Sequence, residues 1–89
     1  MLKPYFTTKF RKDFQRVKSQ NKNMEKLEEV MRNLMEEREL APKHKDHPLF
    51  KNWAGRRECH VEPDWLLIYK VEGDIIVFER TGRHSELFG

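Results

Sequence analysis

The stretch RRECHVEPDWLLIYKVEGDIIVFERT, Arg56 to Thr81, decides the fold of this chain. WLLIYKV and DIIVFERT are dense in β-branched and aromatic residues, and in RRECHV the apolar Cys59 and Val61 alternate with His60. Glu72-Gly73-Asp74 is tight-turn material, so the last two segments read as a hairpin. Between the first two lies HVEPDW, which packs a histidine, two carboxylates, a proline and a tryptophan into six residues. A strand does not require that cluster, so it needs a chemical explanation.

Upstream of this stretch, LKPYFTT is a short strand candidate, with Pro4 suited to an edge. Thr7 or Thr8 can cap a helix through KFRKDFQRVKSQ, in which Phe10, Phe14 and Val17 share one face. SQNKN interrupts it, and Asn23 can cap a second helix whose stripe is Leu27, Val30, Met31, Leu34 and Met35. That stripe is core material, and two such helices so close in sequence are expected to form an antiparallel hairpin. PKHKDHPLFKNWAG, after the second helix, has no period and reads as a long loop, the kind that often carries function. The order β-α-α-β-β-β predicts an α+β fold: an antiparallel sheet, the N-terminal helix hairpin on one face and the other face partly open. With 89 residues and neither repeat nor linker, residues 1–89 read as a single domain.

Composition narrows the function. The net charge is only +3, but it is unevenly placed: residues 1–20 carry six basic side chains against Asp13 alone. A basic arm on a near-neutral body suits a polyanion such as nucleic acid. Cys59 is the only cysteine, so neither an internal disulfide nor a cysteine zinc cluster can form, and a reducing cytoplasm is expected. No apolar run approaches the roughly 20 residues of a membrane span, and no signal-peptide pattern opens the chain.

Polar residues that a core would not request gather in KDHPL, HVEPDW and RTGRHSELF, which supply His47, His60, Asp64, Trp65, Arg80, Arg83, His84 and Phe88. Each has a plain structural reading. His44 reads as a solvated loop residue, Asp64 as a turn cap, and Trp65 and Phe88 as core or lid. Together they contain the parts for cutting RNA without a metal. One histidine takes the ribose 2′-OH proton while another protonates the departing 5′ oxygen. Arginine stabilises the charge on phosphorus, and an aromatic ring holds an unstacked base. Zinc is the competing chemistry, since three histidines and an aspartate match a catalytic ligand count. Against it, no ligand pair lies at i, i+4 of a helix and two arginines would sit beside the dication. Cys59 alternates with His60 to the opposite strand face and is a poor nucleophile candidate.

The same residues carry a family resemblance. KDHPL, the HVEPDWLLIYK run and FERTG followed by HSELFG resemble the YafQ branch of the RelE/ParE toxins, from bacterial type II toxin–antitoxin modules. The resemblance implies a small RelE-like fold and an mRNA endonuclease acting in the ribosomal A site through 2′-OH attack, with no cofactor. It implies His47, His60, Asp64 and His84 as catalytic groups, Arg80 at the phosphoryl charge and Phe88 on the base. Trp65 would be structural or base-positioning, and Arg83 has no assigned part. His84 would be the acid, His60 or His47 the base, and Asp64 would orient a histidine or share the base role. Lys9, Arg11, Lys12, Arg16 and Lys18 would meet ribosomal RNA phosphates. The expected partner is an antitoxin that wraps an otherwise monomeric toxin and blocks its active face.

The same residue set serves a nuclease that cuts free RNA without ribosomes. A reading from a different class is a non-catalytic, gyrase-binding relative of the same fold. Relatives of that kind lack the histidine set, which argues against it here.

Overall fold

A computed structural model describes residues 1–89. The chain runs β1 (Lys3–Phe6), α1 (Thr8–Ser19), α2 (Met24–Met35), β2 (His47–Pro48), β3 (Arg57–Glu62), β4 (Trp65–Glu72), β5 (Ile75–Gly82) and α3 (His84–Phe88). Single 3-10 turns at Pro42–His44 and Lys51–Trp53 flank β2. No helix is long and apolar enough to cross a membrane.

The helix starts follow the expected capping. Thr7 Oγ1 accepts from the Phe10 N–H at 2.9 Å, and Asn23 Oδ1 from the Glu25 N–H at 3.1 Å. Each cap contributes about 1 kcal/mol. Burial of the apolar faces contributes more, about 1.5–3 kcal/mol for each large side chain removed from water. Phe10, Val17, Leu27, Val30 and Leu34 meet Cys59, Val61, Trp65, Leu67, Tyr69, Ile76 and Phe78 in the main core.

The predicted α+β class and element order hold, with the short β2 and α3 added. The sheet is mixed, in the order β1-β5-β4-β3-β2. β2 to β5 are antiparallel to their neighbours, whereas β1 lies parallel to β5, with Lys3 opposite Ile75 and Phe6 opposite Phe78. A parallel partner needs a long crossover, and everything from α1 to β4 supplies it. The helices pack on the sheet but leave between them an apolar cleft of about 770 Å³, walled by Phe6, Phe10, Phe14, Met31 and Met35.

The second sheet face is more covered than expected. Leu66, Ile68 and Leu87 form a small core there, flanked by Leu49, Trp53 and Phe88. The loop after α2 and the short α3 therefore close over the middle of this face and frame a site around it.

A bulge places β5's last residues. Tyr69 pairs with Phe78 but Ile68 pairs with Arg80, so Glu79 is the extra residue. That residue inverts the alternation. Ile76 and Phe78 face the helices, and after Glu79 it is Thr81 that joins Trp65, accepting the indole N–H at 2.9 Å.

Candidate active site

Strand register brings the motif residues together. His47 of β2 lies opposite Glu58 of β3, Glu58 opposite Ile68 of β4, and Ile68 opposite Arg80 of β5. In the next row, His60 lies opposite Leu66, and Leu66 opposite Gly82, two residues before His84. Neighbouring strands are about 4.8 Å apart, so the backbones of Glu58 and Arg80 are separated by roughly 10 Å across the Leu66/Ile68 mound. His47 and His60 thus stand on the β3 side of this sheet face and His84 follows the end of β5, and the surface between them is the basin of the site.

His60 is fixed at its backbone by His44 and at its ring by the Pro63 carbonyl. Its own carbonyl receives His44 Nδ1 at 2.6 Å, which pins the loop after α2 to β3. His44 is therefore a half-buried tether and not the solvated residue expected. The His60 ring presents Nδ1 to the Pro63 carbonyl at 3.0 Å. A carbonyl oxygen only accepts, so Nδ1 is the donor to it, and in the neutral ring Nε2 carries the lone pair.

His47 is placed differently. Its Nε2 lies 2.9 Å from Glu58 Oε2 and its Nδ1 3.0 Å from the Pro48 carbonyl, so both ring nitrogens face acceptors. The adjacent Asp46 accepts from the Tyr69 hydroxyl at 2.7 Å and from Arg57 Nε at 3.2 Å, which ties down the loop at His47. Burial first, then the Asp46 carboxylate, pushes the Tyr69 phenol up, so it stays a donor.

His84 opens α3, and its ring lies 4.9 Å from that of Phe88. Phe88 in turn meets Trp53 edge-on at 5.5 Å, a favourable aromatic geometry. The half-buried Phe88 thus backs His84. The Arg83 N–H donates to Glu86 Oε1 at 2.8 Å, closing the first turn of α3. This N–H first, against a smaller opposing effect of burial, holds the Glu86 carboxyl below its usual range.

Beyond Phe78, β5 has no β1 neighbour, and there the Arg80 guanidinium reaches Asp13 of α1, Nε to Oδ2 at 2.6 Å and Nη2 to Oδ1 at 3.2 Å. Burial raises the Asp13 carboxyl, but the Arg80 and Arg16 bonds and the Thr81 N–H outweigh it and hold it below the usual range. The Asp13 hydrogen bond, against burial, pushes Arg80 up in turn.

Three expected residues stand elsewhere. Trp65 is 0% exposed and bonded to Thr81, so it cannot offer its ring to a base; it belongs to the core because β4 is buried on both faces. Asp64 occupies the exposed two-residue turn between β3 and β4 and bonds no histidine; the Pro63 carbonyl orients His60 instead. Arg16 is turned inward, donating to Asp13 at 2.8 Å and to the Thr81 carbonyl at 3.0 Å, so it is not free for ribosomal RNA. Lys9, Arg11, Lys12 and Lys18 of α1 are exposed, as is Arg83.

Sequence reasoning missed Glu58, Asp13 and Trp53. Glu58 stands two residues before His60, hence on the same strand face, which was a usable signal. Asp13 lies between Phe10 and Val17 on the buried face of α1, the one acid in a basic helix. Nothing in the local pattern of KNWAG announces Trp53 as Phe88's partner.

A cation has one possible seat. One ligand atom each of His47, Glu58 and His60 lies within 4.8 Å of the other two, close enough for a single ion after small side-chain adjustments. Asp64, expected among the zinc ligands if zinc were held, is not in that group. Buried Cys59 is no nucleophile, because burial first, then Asp46 and Glu58, pushes its thiol up.

Known proteins resemble this chain in sequence and fold. Residues 2–89 match the family described as bacterial toxin of type II toxin–antitoxin system, YafQ. The mRNA interferase toxin YafQ of Escherichia coli strain B / BL21-DE3 is 44% identical over 85 residues, spanning 94% of this chain and 92% of that one. YafQ in the E. coli DinJ–YafQ complex superposes with a TM-score of 0.93 at 41% identity over the full length of both chains. A copper-bound mutant toxin from Helicobacter pylori has a TM-score of 0.95 at 39% identity, covering 99% of this chain and 100% of that one. The chain therefore belongs to the YafQ family of bacterial type II toxin–antitoxin toxins.

Proposed function

We propose that this protein is a ribosome-dependent mRNA endonuclease, the toxin of a type II toxin–antitoxin module. The observation that carries the reading is His60: with Nδ1 committed to the Pro63 carbonyl, Nε2 is a free base on the basin that His84 borders. His60 takes the ribose 2′-OH proton, the 2′ oxygen attacks the adjacent phosphorus, and the bond to the 5′ oxygen breaks. His84 protonates that 5′ oxygen, leaving a 2′,3′-cyclic phosphate and a 5′-hydroxyl. Arg80 stabilises the phosphoryl charge and Phe88 holds the displaced base. His60 rather than His47 is assigned the base role because both His47 ring nitrogens already face protein acceptors, Glu58 and the Pro48 carbonyl.

Both proton transfers come from side chains, so the reaction is proposed to need no metal. A cation held by His47, Glu58 and His60 would occupy the His60 lone pair. The exposed Lys9, Arg11, Lys12 and Lys18 suit ribosomal RNA phosphates. The E. coli relative occurs with DinJ, and the same kind of partner, an antitoxin covering the basin, is proposed here.

The test is a cell-free translation reaction on defined mRNA, with naked RNA beside it and a transition-metal chelator that spares Mg²⁺. In-frame cuts only on translated message, cyclic phosphate ends and indifference to the chelator are expected. Equal cutting of naked RNA would make it a ribosome-independent nuclease, and loss of cutting with the chelator would make the metal essential.

A further inference from the structure

Asp13 lies outside the basin, yet it is the most fully bonded side chain near it. Its carboxylate is 3% exposed and accepts four hydrogen bonds: Arg16 Nη1 at 2.8 Å and Arg80 Nη2 at 3.2 Å on Oδ1, Arg80 Nε at 2.6 Å and the Thr81 N–H at 3.2 Å on Oδ2. That fills the acceptor capacity of a carboxylate. Arg80 is gripped side-on through Nε and Nη2, and Nη1 meets no protein acceptor. A long flexible side chain is thereby reduced to one orientation with one edge left to donate.

The same carboxylate reaches the second half of the site. Arg16, bonded to Asp13, places its Nε 3.2 Å from Glu86 Oε2, a charge contact without hydrogen-bond geometry. Glu86 closes the first turn of α3, which begins with His84. One polar chain, Arg80–Asp13–Arg16–Glu86, thus joins the arginine to the helix that bears the proposed acid.

We propose that Asp13 is a positioning residue for RNA cleavage, fixing the Arg80 guanidinium in the orientation that meets the phosphoryl group. This rests on the reading of Arg80 as the group that stabilises phosphoryl charge. Asp13 compensates part of the Arg80 charge, so its contribution is geometric. It acts on the cleavage step and not on attachment to the ribosome. A merely structural ion pair predicts otherwise: both readings expect a lower melting temperature, but a structural pair would leave the rate of the folded protein unchanged or lower it by a factor that multiplies with that of Arg80.

The experiment is a double-mutant cycle on mRNA-programmed ribosomes in single turnover, using Arg80→Ala, Asp13→Asn and the double variant, each checked by circular dichroism. Arg80→Ala is expected to lose on the order of 100-fold in the rate at saturating toxin. Asp13→Asn is expected to lose at least about 10-fold in that rate, with the half-saturating concentration unchanged within about 2-fold. The double variant is expected to be no slower than Arg80→Ala. A wild-type rate for Asp13→Asn, or losses that multiply, would overturn the positioning role while leaving the arginine's role intact. A wild-type rate for Arg80→Ala would overturn the reading of Arg80 itself. If Asp13→Asn does not fold, Asp13→Glu carries the test, because it keeps the pair but shifts the guanidinium by a methylene. A slowed, folded Asp13→Glu supports positioning, and a wild-type rate overturns it.

Discussion

Glu58 Oε2 lies 2.9 Å from His47 Nε2, between residues directly opposite each other in the β2–β3 ladder. Glu58 is 7% exposed, so the imidazole meets this carboxylate at the edge of the core. β2 is only two residues long, so Glu58 is the side chain of the facing strand that fixes the His47 ring. Glu58→Gln should therefore leave the fold intact and lower cleavage on the order of 10-fold, short of the roughly 10²–10⁴ loss expected for a proton-transfer group. Single-turnover rates with a parallel melting curve check this, and a loss as large as that of His60→Ala would make Glu58 a proton-transfer group itself.

Gly82 has φ +152, and a Cβ there would stand 2.5 Å from Arg16 Nη2 and 2.9 Å from Glu86 Oε1. Gly82→Ala combines backbone strain with displacement of the contact that ties α3 to α1. It should lower the melting temperature by roughly 5–15 °C and reduce cleavage as well, because His84 follows two residues later. A variant that melts with the wild type would show that α3 is not anchored through this contact.

The lowered carboxyls of Asp13 and Glu86 set an acid limit on stability. Their folded pKa values lie below those of the unfolded chain, so the unfolded state binds more protons as the pH falls. The stabilisation is complete above the unfolded values near 4 and is lost as pH drops through the lowered folded ones. In urea unfolding between about pH 6 and 2.5, the wild type should lose stability more steeply than Asp13→Asn. Parallel curves would mean that Asp13 titrates no differently in the folded chain.

On α1 the exposed and the inward-turned basic residues should separate cleanly. Lys9→Ala, Lys12→Ala and Lys18→Ala should weaken ribosome binding and each reduce the slope of log affinity against log salt by up to about one unit. Arg16→Ala should instead lower thermal stability and leave that slope unchanged, because Arg16 donates to Asp13 and to the Thr81 carbonyl. Filter binding to ribosomes across a salt series distinguishes them.

Much of this fold is legible in local pattern. The β3–β5 run, the Asn23 cap and the two apolar helix faces all follow from spacing, because each is decided within a few residues. What was not legible depends on distant partners. The parallel seat of β1 is a choice of neighbour made across the whole chain, and the extra Glu79 changes which residues of β5 face the helices without any glycine or proline to announce it. The same holds for the site. His47, His60 and His84 stand out as polar residues where a core asks for none, but Trp65 turns inward because β4 is buried on both faces and Thr81 satisfies its indole N–H. Arg16 turns inward because Asp13 is buried beside it.

The central claim is that His60 and His84 divide the two proton transfers. The most direct measurement is primer extension on a defined mRNA under translation, comparing wild type, His60→Ala and His84→Ala at equal folded concentration. The account predicts in-frame cuts by the wild type and a loss on the order of 10²-fold or more in each variant, with ribosome binding retained. Cutting at the wild-type rate by either variant would contradict it.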